Sequence, residues 1–96
     1  GDETRPLTAL RGAAVLAAAG VGDPGAFAAQ LRAAGADVAL VRRPDHHAYT
    51  DDDAAELASR ATSARFGPSP WVVTTLKDAV KLGPRWPRGA PPLWYV

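Results

Sequence analysis

Two adjacent histidines, His46 and His47, stand in the segment RRPDHHAYTDDD from Arg42 to Asp53, with Asp45 before them and Asp51, Asp52 and Asp53 after. Histidine carries protons near neutral pH, and a neighbouring carboxylate such as Asp45 can orient an imidazole or stabilise its charge. Consecutive residues of an extended loop point in different directions, so one of the two is expected to face a site and the other away. On chemistry alone the pair reads equally as an acid–base group or as idle surface histidines. A metal centre needs further ligands at suitable spacing, and the chain has no cysteine and no third histidine, so no metal site is expected. The acids Asp51 to Asp53 read as favourable charge in the positive first turn of a helix, worth a few tenths to about 1 kcal/mol each.

Two other stretches carry candidate chemistry. Gly20, Gly22 and Gly25 match G-x-G-x-x-G between an apolar run and a helical pattern. A dinucleotide fits poorly there, because Asp23 sets a carboxylate where a pyrophosphate would sit and Pro24 removes an amide donor. The better reading is a tight turn with a capped helix, still able to line a site with Gly20 and Gly22. In the segment TTLKD, Thr75, Lys77 and Asp78 follow Thr74. Lysine at a helix start opposes the helix dipole, so Lys77 is either placed for an anion or acidic partner or is plain solvent-facing charge.

The elements that must position these residues follow from pattern. Ala13–Ala19 and Asp37–Arg42 are short apolar runs that read as strands buried on both faces. Between them Asp23 caps a helix, Pro24 takes its first position, Phe27, Leu31 and Ala34 recur at helical spacing, and Gly35 ends it. Thr50 to Asp53 is close to a capping box, and Ala54, Leu57 and Ala61 give the following helix a narrow apolar face. Trp71–Thr75 is a third strand, Thr75 to Asp78 repeats the capping signal for a short helix to about Leu82, Gly83–Pro92 is a loop, and LWYV at residues 93–96 is a fourth strand. Gly1–Leu10 reads as a polar linker. The order β-α-β-α-β-α-β predicts a small, three-layer, Rossmann-like α/β domain with a mostly parallel four-stranded sheet. Right-handed crossovers then gather the loops after the first three strands at one edge of the sheet.

Composition narrows the functional classes. At 96 residues the chain is a single small domain, and much of its 47% hydrophobic content is alanine. A net charge of +1 argues against nucleic acid as a partner. Without cysteine there is no disulfide, thiolate metal site or cysteine nucleophile. No apolar run approaches the roughly 18–20 residues that span a bilayer, so the domain is expected to be soluble.

The order of three motifs is more specific than any one of them: LAAAGVGDPGAFAAQLRAAGADV, then PDHHAYTDDDAAEL, then WVVTTLKDAVKL. This arrangement, over nearly all of residues 7–96, resembles the C-terminal domain of the tetraacyldisaccharide 4'-kinase family, the lipid A kinases. That family shows a glycine turn with a following Pro and Phe, a Phe-Pro-Asp-His-His-x-Tyr-Thr loop and a Thr-Thr-Glu-Lys-Asp-Ala-Val segment.

The resemblance implies transfer of phosphate from ATP, with Mg2+, to the 4'-hydroxyl of a tetraacyldisaccharide 1-phosphate at the cytoplasmic face of the inner membrane. It implies that the nucleotide sits on a P-loop in an N-terminal lobe of the same protein, over which this domain closes. The expected partners are therefore that lobe and the lipid, with membrane association through the full-length protein. The residues carried over are His46, Asp45 and His47 as catalytic candidates, and Tyr49, Thr75, Lys77 and Asp78 as cleft-lining positions. Leu76 stands where the family usually has Glu, and Arg43 replaces the aromatic residue before Pro44. No G-x-x-x-x-G-K-[ST] occurs in the 96 residues, and phosphoryl transfer depends on positioning and charge stabilisation around phosphate. The chain is thus expected to be an excised domain without turnover of its own. Two alternatives remain: a fragment of a metal-dependent DHH phosphoesterase, whose other aspartate motifs are missing here, or a non-catalytic Rossmann-like binding domain.

Overall fold

The computed structural model describes residues 7–45, 47–68 and 70–96. Its strands are β1 (Ala14–Ala19), β2 (Asp37–Arg42), β3 (Trp71–Thr74) and β4 (Leu93–Tyr95), and its helices are α1 (Pro24–Ala33), α2 (Asp51–Ala61) and α3 (Leu76–Leu82). The sheet order is β2-β1-β3-β4, and every pairing is parallel. This is the expected small Rossmann-like α/β domain.

Side chains of β1 alternate between two cores. Leu16 and Ala18 pack with Leu57 of α2 and Leu82 of α3, while Val15, Ala17 and Ala19 pack with Phe27, Ala28 and Leu31 of α1. Hence α1 covers one face of the sheet and α2 and α3 the other, giving three layers. A uniform crossover hand requires this, because the chain reverses direction across the sheet at β1. The reversal opens a crevice between the carboxyl ends of β1 and β3, where ligands bind in open parallel sheets.

The local signals operate as chemistry dictates. Asp23 accepts a hydrogen bond from the Ala26 amide ahead of Pro24, and Gly35 follows α1 with φ of 95°, a conformation that penalises any side chain. Three strand boundaries differ from the sequence reading, one of them that of β4, which ends at Tyr95 rather than at residue 96. β1 starts at Ala14, and β3 stops at Thr74 because Thr75 turns its hydroxyl to the Asp78 amide and becomes the N-cap of α3. The Gly83–Pro92 loop contains a 3-10 turn at Gly83–Arg85, which Pro84 suits by its fixed φ. The expected N-terminal linker ends in a 3-10 turn, Leu7–Leu10, whose Leu10 is buried among the α1-side core residues.

Candidate active site

Two copies of Thr-x-x-Asp build the site, and each carboxylate does more than cap. At α2 the capping box is complete: the Asp53 amide donates to Thr50 Oγ1 at 3.1 Å and the Thr50 amide donates to Asp53 Oδ2 at 2.9 Å. The same Oδ2 stands 3.0 Å from Nε2 of His47. The Thr50 amide first, and the His47 ring second, hold the Asp53 carboxyl below the usual carboxylate range. An ionised carboxylate only accepts, so Nε2 carries the proton in this pair and Nδ1 is the nitrogen not committed to Asp53. The sequence pointed to Asp45 as the orienting acid; for His47 that acid is Asp53. The capping box was the available signal, since it turns the third helical residue back toward the preceding loop.

At α3 the carboxylate turns inward instead. Asp78 is 1% exposed. Its Oδ2 accepts from Thr75 Oγ1 at 2.6 Å and from the Gly20 amide at 3.1 Å, and its Oδ1 accepts from the Tyr49 hydroxyl at 3.1 Å. One buried carboxylate therefore joins the ends of β1 and β3 to the loop after β2. Tyr49 is buried as well, and its ring meets the His47 ring edge to face at 4.9 Å. Burial, reinforced by the negative charge of Asp78, pushes the Tyr49 hydroxyl well above the ordinary tyrosine value. Tyr49 is thus a fixed neutral donor beneath the loop, unsuited to carrying protons at working pH.

Gly20 is glycine because of how closely the loops approach. A Cβ there would stand 3.0 Å from the Pro44 carbonyl oxygen, 3.2 Å from Asp78 Oδ1 and 3.3 Å from His47 Cβ. A Cβ on Gly22 would lie 3.7 Å from Asp45 Oδ2. The glycine motif serves loop packing, and the amide that would greet a phosphate donates to Asp78. Together with Asp23 at the start of α1, this leaves no phosphate cradle in the turn, so the residues of the turn do not fit a nucleotide phosphate. Among the described residues, no group of three or more His, Asp or Glu side chains is gathered for a metal ion.

The remaining candidates fall into place around this centre. Asp45, Leu76 and Lys77 are exposed, and Thr75 is half-buried. His46 lies outside the described residues. Arg43, at the position usually aromatic, sends its guanidinium 3.9 Å from Glu56 of α2. At the opposite end of the sheet, a groove of about 800 Å³ runs between Trp71, Trp94, Pro70 and Pro91. Among the described residues, no titratable side chain lines it.

Comparison with known proteins gives this geometry its context. The model of the family described as tetraacyldisaccharide-1-P 4'-kinase matches residues 2–96. The chain belongs to this kinase family. Among curated relatives, the tetraacyldisaccharide 4'-kinase of Rhodopseudomonas palustris strain BisB5 is 52% identical over 86% of the chain and 23% of the relative. That of strain BisA53 is 55% identical over 80% of the chain and 22% of the relative, and that of Anaeromyxobacter dehalogenans strain 2CP-C is 47% identical over 85% and 21%. The chain spans less than a quarter of the length of these kinases. No solved structure matches it.

Proposed function

We propose that these residues are the C-terminal lobe of a lipid A 4'-kinase, which transfers phosphate from ATP to the 4'-hydroxyl of a tetraacyldisaccharide 1-phosphate at the cytoplasmic face of the inner membrane. The observation that carries the reading is the convergence of Gly20, His47, Tyr49 and Asp78 at one sheet edge. These residues come from the three segments that resemble the family. The loops are occupied with one another, so ATP and Mg2+ belong to an N-terminal P-loop lobe, and this lobe contributes an oriented imidazole at the cleft. His47, aligned by Asp53, offers Nδ1 as a proton acceptor, while His46 and Asp45 share the loop and remain catalytic candidates. Lys77 and Thr75, at the start of α3, face the same edge and suit an anionic substrate.

The test is turnover in the full-length protein. Wild type phosphorylates the tetraacyldisaccharide 1-phosphate with ATP, and the 96-residue chain alone does not. His46→Ala lowers kcat by about a hundred- to ten-thousandfold, the range of an acid–base group. Absence of turnover from the full-length protein, or turnover by the isolated chain, refutes the reading.

A further inference from the structure

The carboxylate of Asp78 is buried, yet it touches all three loops of the site. It accepts from Gly20 of the first, Tyr49 of the second and Thr75 of the third. Helix capping alone asks for much less, since the Thr75 hydroxyl already satisfies the Asp78 amide. The bond to Tyr49 crosses from α3 to the histidine-bearing loop, and Tyr49 in turn supports the His47 ring edge-on. Close against that loop stands Gly20, where even a methyl group would crowd the Pro44 carbonyl and His47 Cβ. The loop is thus held by a hydrogen bond and approached by bare backbone.

We infer that Asp78 is a positioning residue, which fixes the His47 loop against the end of β1 through the Tyr49 hydroxyl and so sets where His47 stands in the cleft. This rests on the kinase reading only for its catalytic consequence; the placement of the loop can be measured without any reaction. Reaching the loop from within, Asp78 acts through Tyr49 and Gly20 and touches no substrate itself.

Two readouts test it. In the 96-residue chain, the ring-proton resonances of His47 report its distance and angle to the Tyr49 ring. Tyr49→Phe keeps the ring and removes only the hydroxyl that Asp78 holds. The expected result is a changed His47 ring shift and broadened amide resonances over residues 44–49, with the core strands unaltered. Asp78→Asn, which can still accept from Gly20 while presenting an amide to Tyr49, should recover part of the wild-type shift, whereas Asp78→Ala should not. In the full-length protein, Tyr49→Phe should lower kcat about ten- to a hundredfold, the cost of a misplaced catalytic group, with KM for ATP little changed. An unmoved His47 resonance in Tyr49→Phe overturns the inference, and so does an unchanged kcat in a turning-over enzyme. A moved resonance in a protein whose wild-type full-length form does not phosphorylate the lipid removes the kinase reading and keeps the positioning role. If Asp78→Ala does not fold, Tyr49→Phe still decides.

Discussion

Asp53 ties a pH dependence to the site. Its carboxyl is held below the ordinary value of 3.8 by the Thr50 amide and by His47. A carboxyl whose folded value is depressed binds its proton more weakly in the native state than in the unfolded one. Its contribution to stability is therefore complete above the ordinary value and disappears as pH falls through the lower folded value. Urea unfolding followed between about pH 6 and pH 2 should show stability falling below about pH 4 in wild type. Asp53→Asn should flatten that fall, because the substituted side chain has no proton to take up; an identical slope in the two proteins would remove Asp53 as its source. Since the same oxygen faces His47, loss of the pair in acid also frees the imidazole to rotate, so loop order and stability should fade together.

At the scale of elements, the two Thr-x-x-Asp starts predict unequal costs. Thr50→Ala removes a partly exposed cap, for which about 1 kcal/mol is usual. Thr75→Ala removes both the cap and the hydroxyl that donates to a buried carboxylate, leaving that oxygen the Gly20 amide alone, and a hydrogen bond to a charged group is worth about 1.5–3 kcal/mol. Chemical denaturation should therefore rank Thr75→Ala as the more damaging by at least about 1 kcal/mol; equal losses would mean that Asp78 finds another donor. This contrast also marks the limit of what was legible beforehand. Helix starts at Pro24, Asp51 and Leu76, the glycine stop at Gly35 and strand β2 are written in residues close in sequence, so local chemistry reveals them. The burial of Asp78 is not written there, because Thr75-Leu-Lys-Asp reads like Thr50-Asp-Asp-Asp until Gly20 and Tyr49 arrive from 58 and 29 residues away. Leu10 escaped notice for the same reason, being core only because α1 folds over it.

At the scale of the whole molecule, two cores flank a sheet that is nearly dry at its centre. Leu31, fully buried, is the largest side chain that α1 sends inward without any exposure. Leu31→Ala should cost about 2–5 kcal/mol by lost transfer energy and the cavity left behind. For a domain whose total stability is on the order of 5–15 kcal/mol, that is a substantial share. The urea midpoint should drop with little change in slope, and a loss well under about 1 kcal/mol would mean that the α1 face collapses to fill the space. The general layout, including the meeting of the three loops, was readable from element order because parallel crossovers have one hand. What lies between those loops was not, since hydrogen bonds across a crevice leave no periodic trace in the chain.

The central strand has a further consequence, which concerns synthesis. β1 is made well before its second edge can close, because the residue that closes it, Thr74, follows Ala18 by 56 positions. At typical elongation rates of 5–20 residues per second, that edge stays open for about three to eleven seconds. A valine- or isoleucine-rich strand would be a template for misassembly during such a delay. β1 is Ala-Val-Leu-Ala-Ala-Ala, dominated by a residue with little liking for extended structure. A strand that is unadhesive while it waits lets the nascent chain postpone its commitment until β3 exists to pair with it.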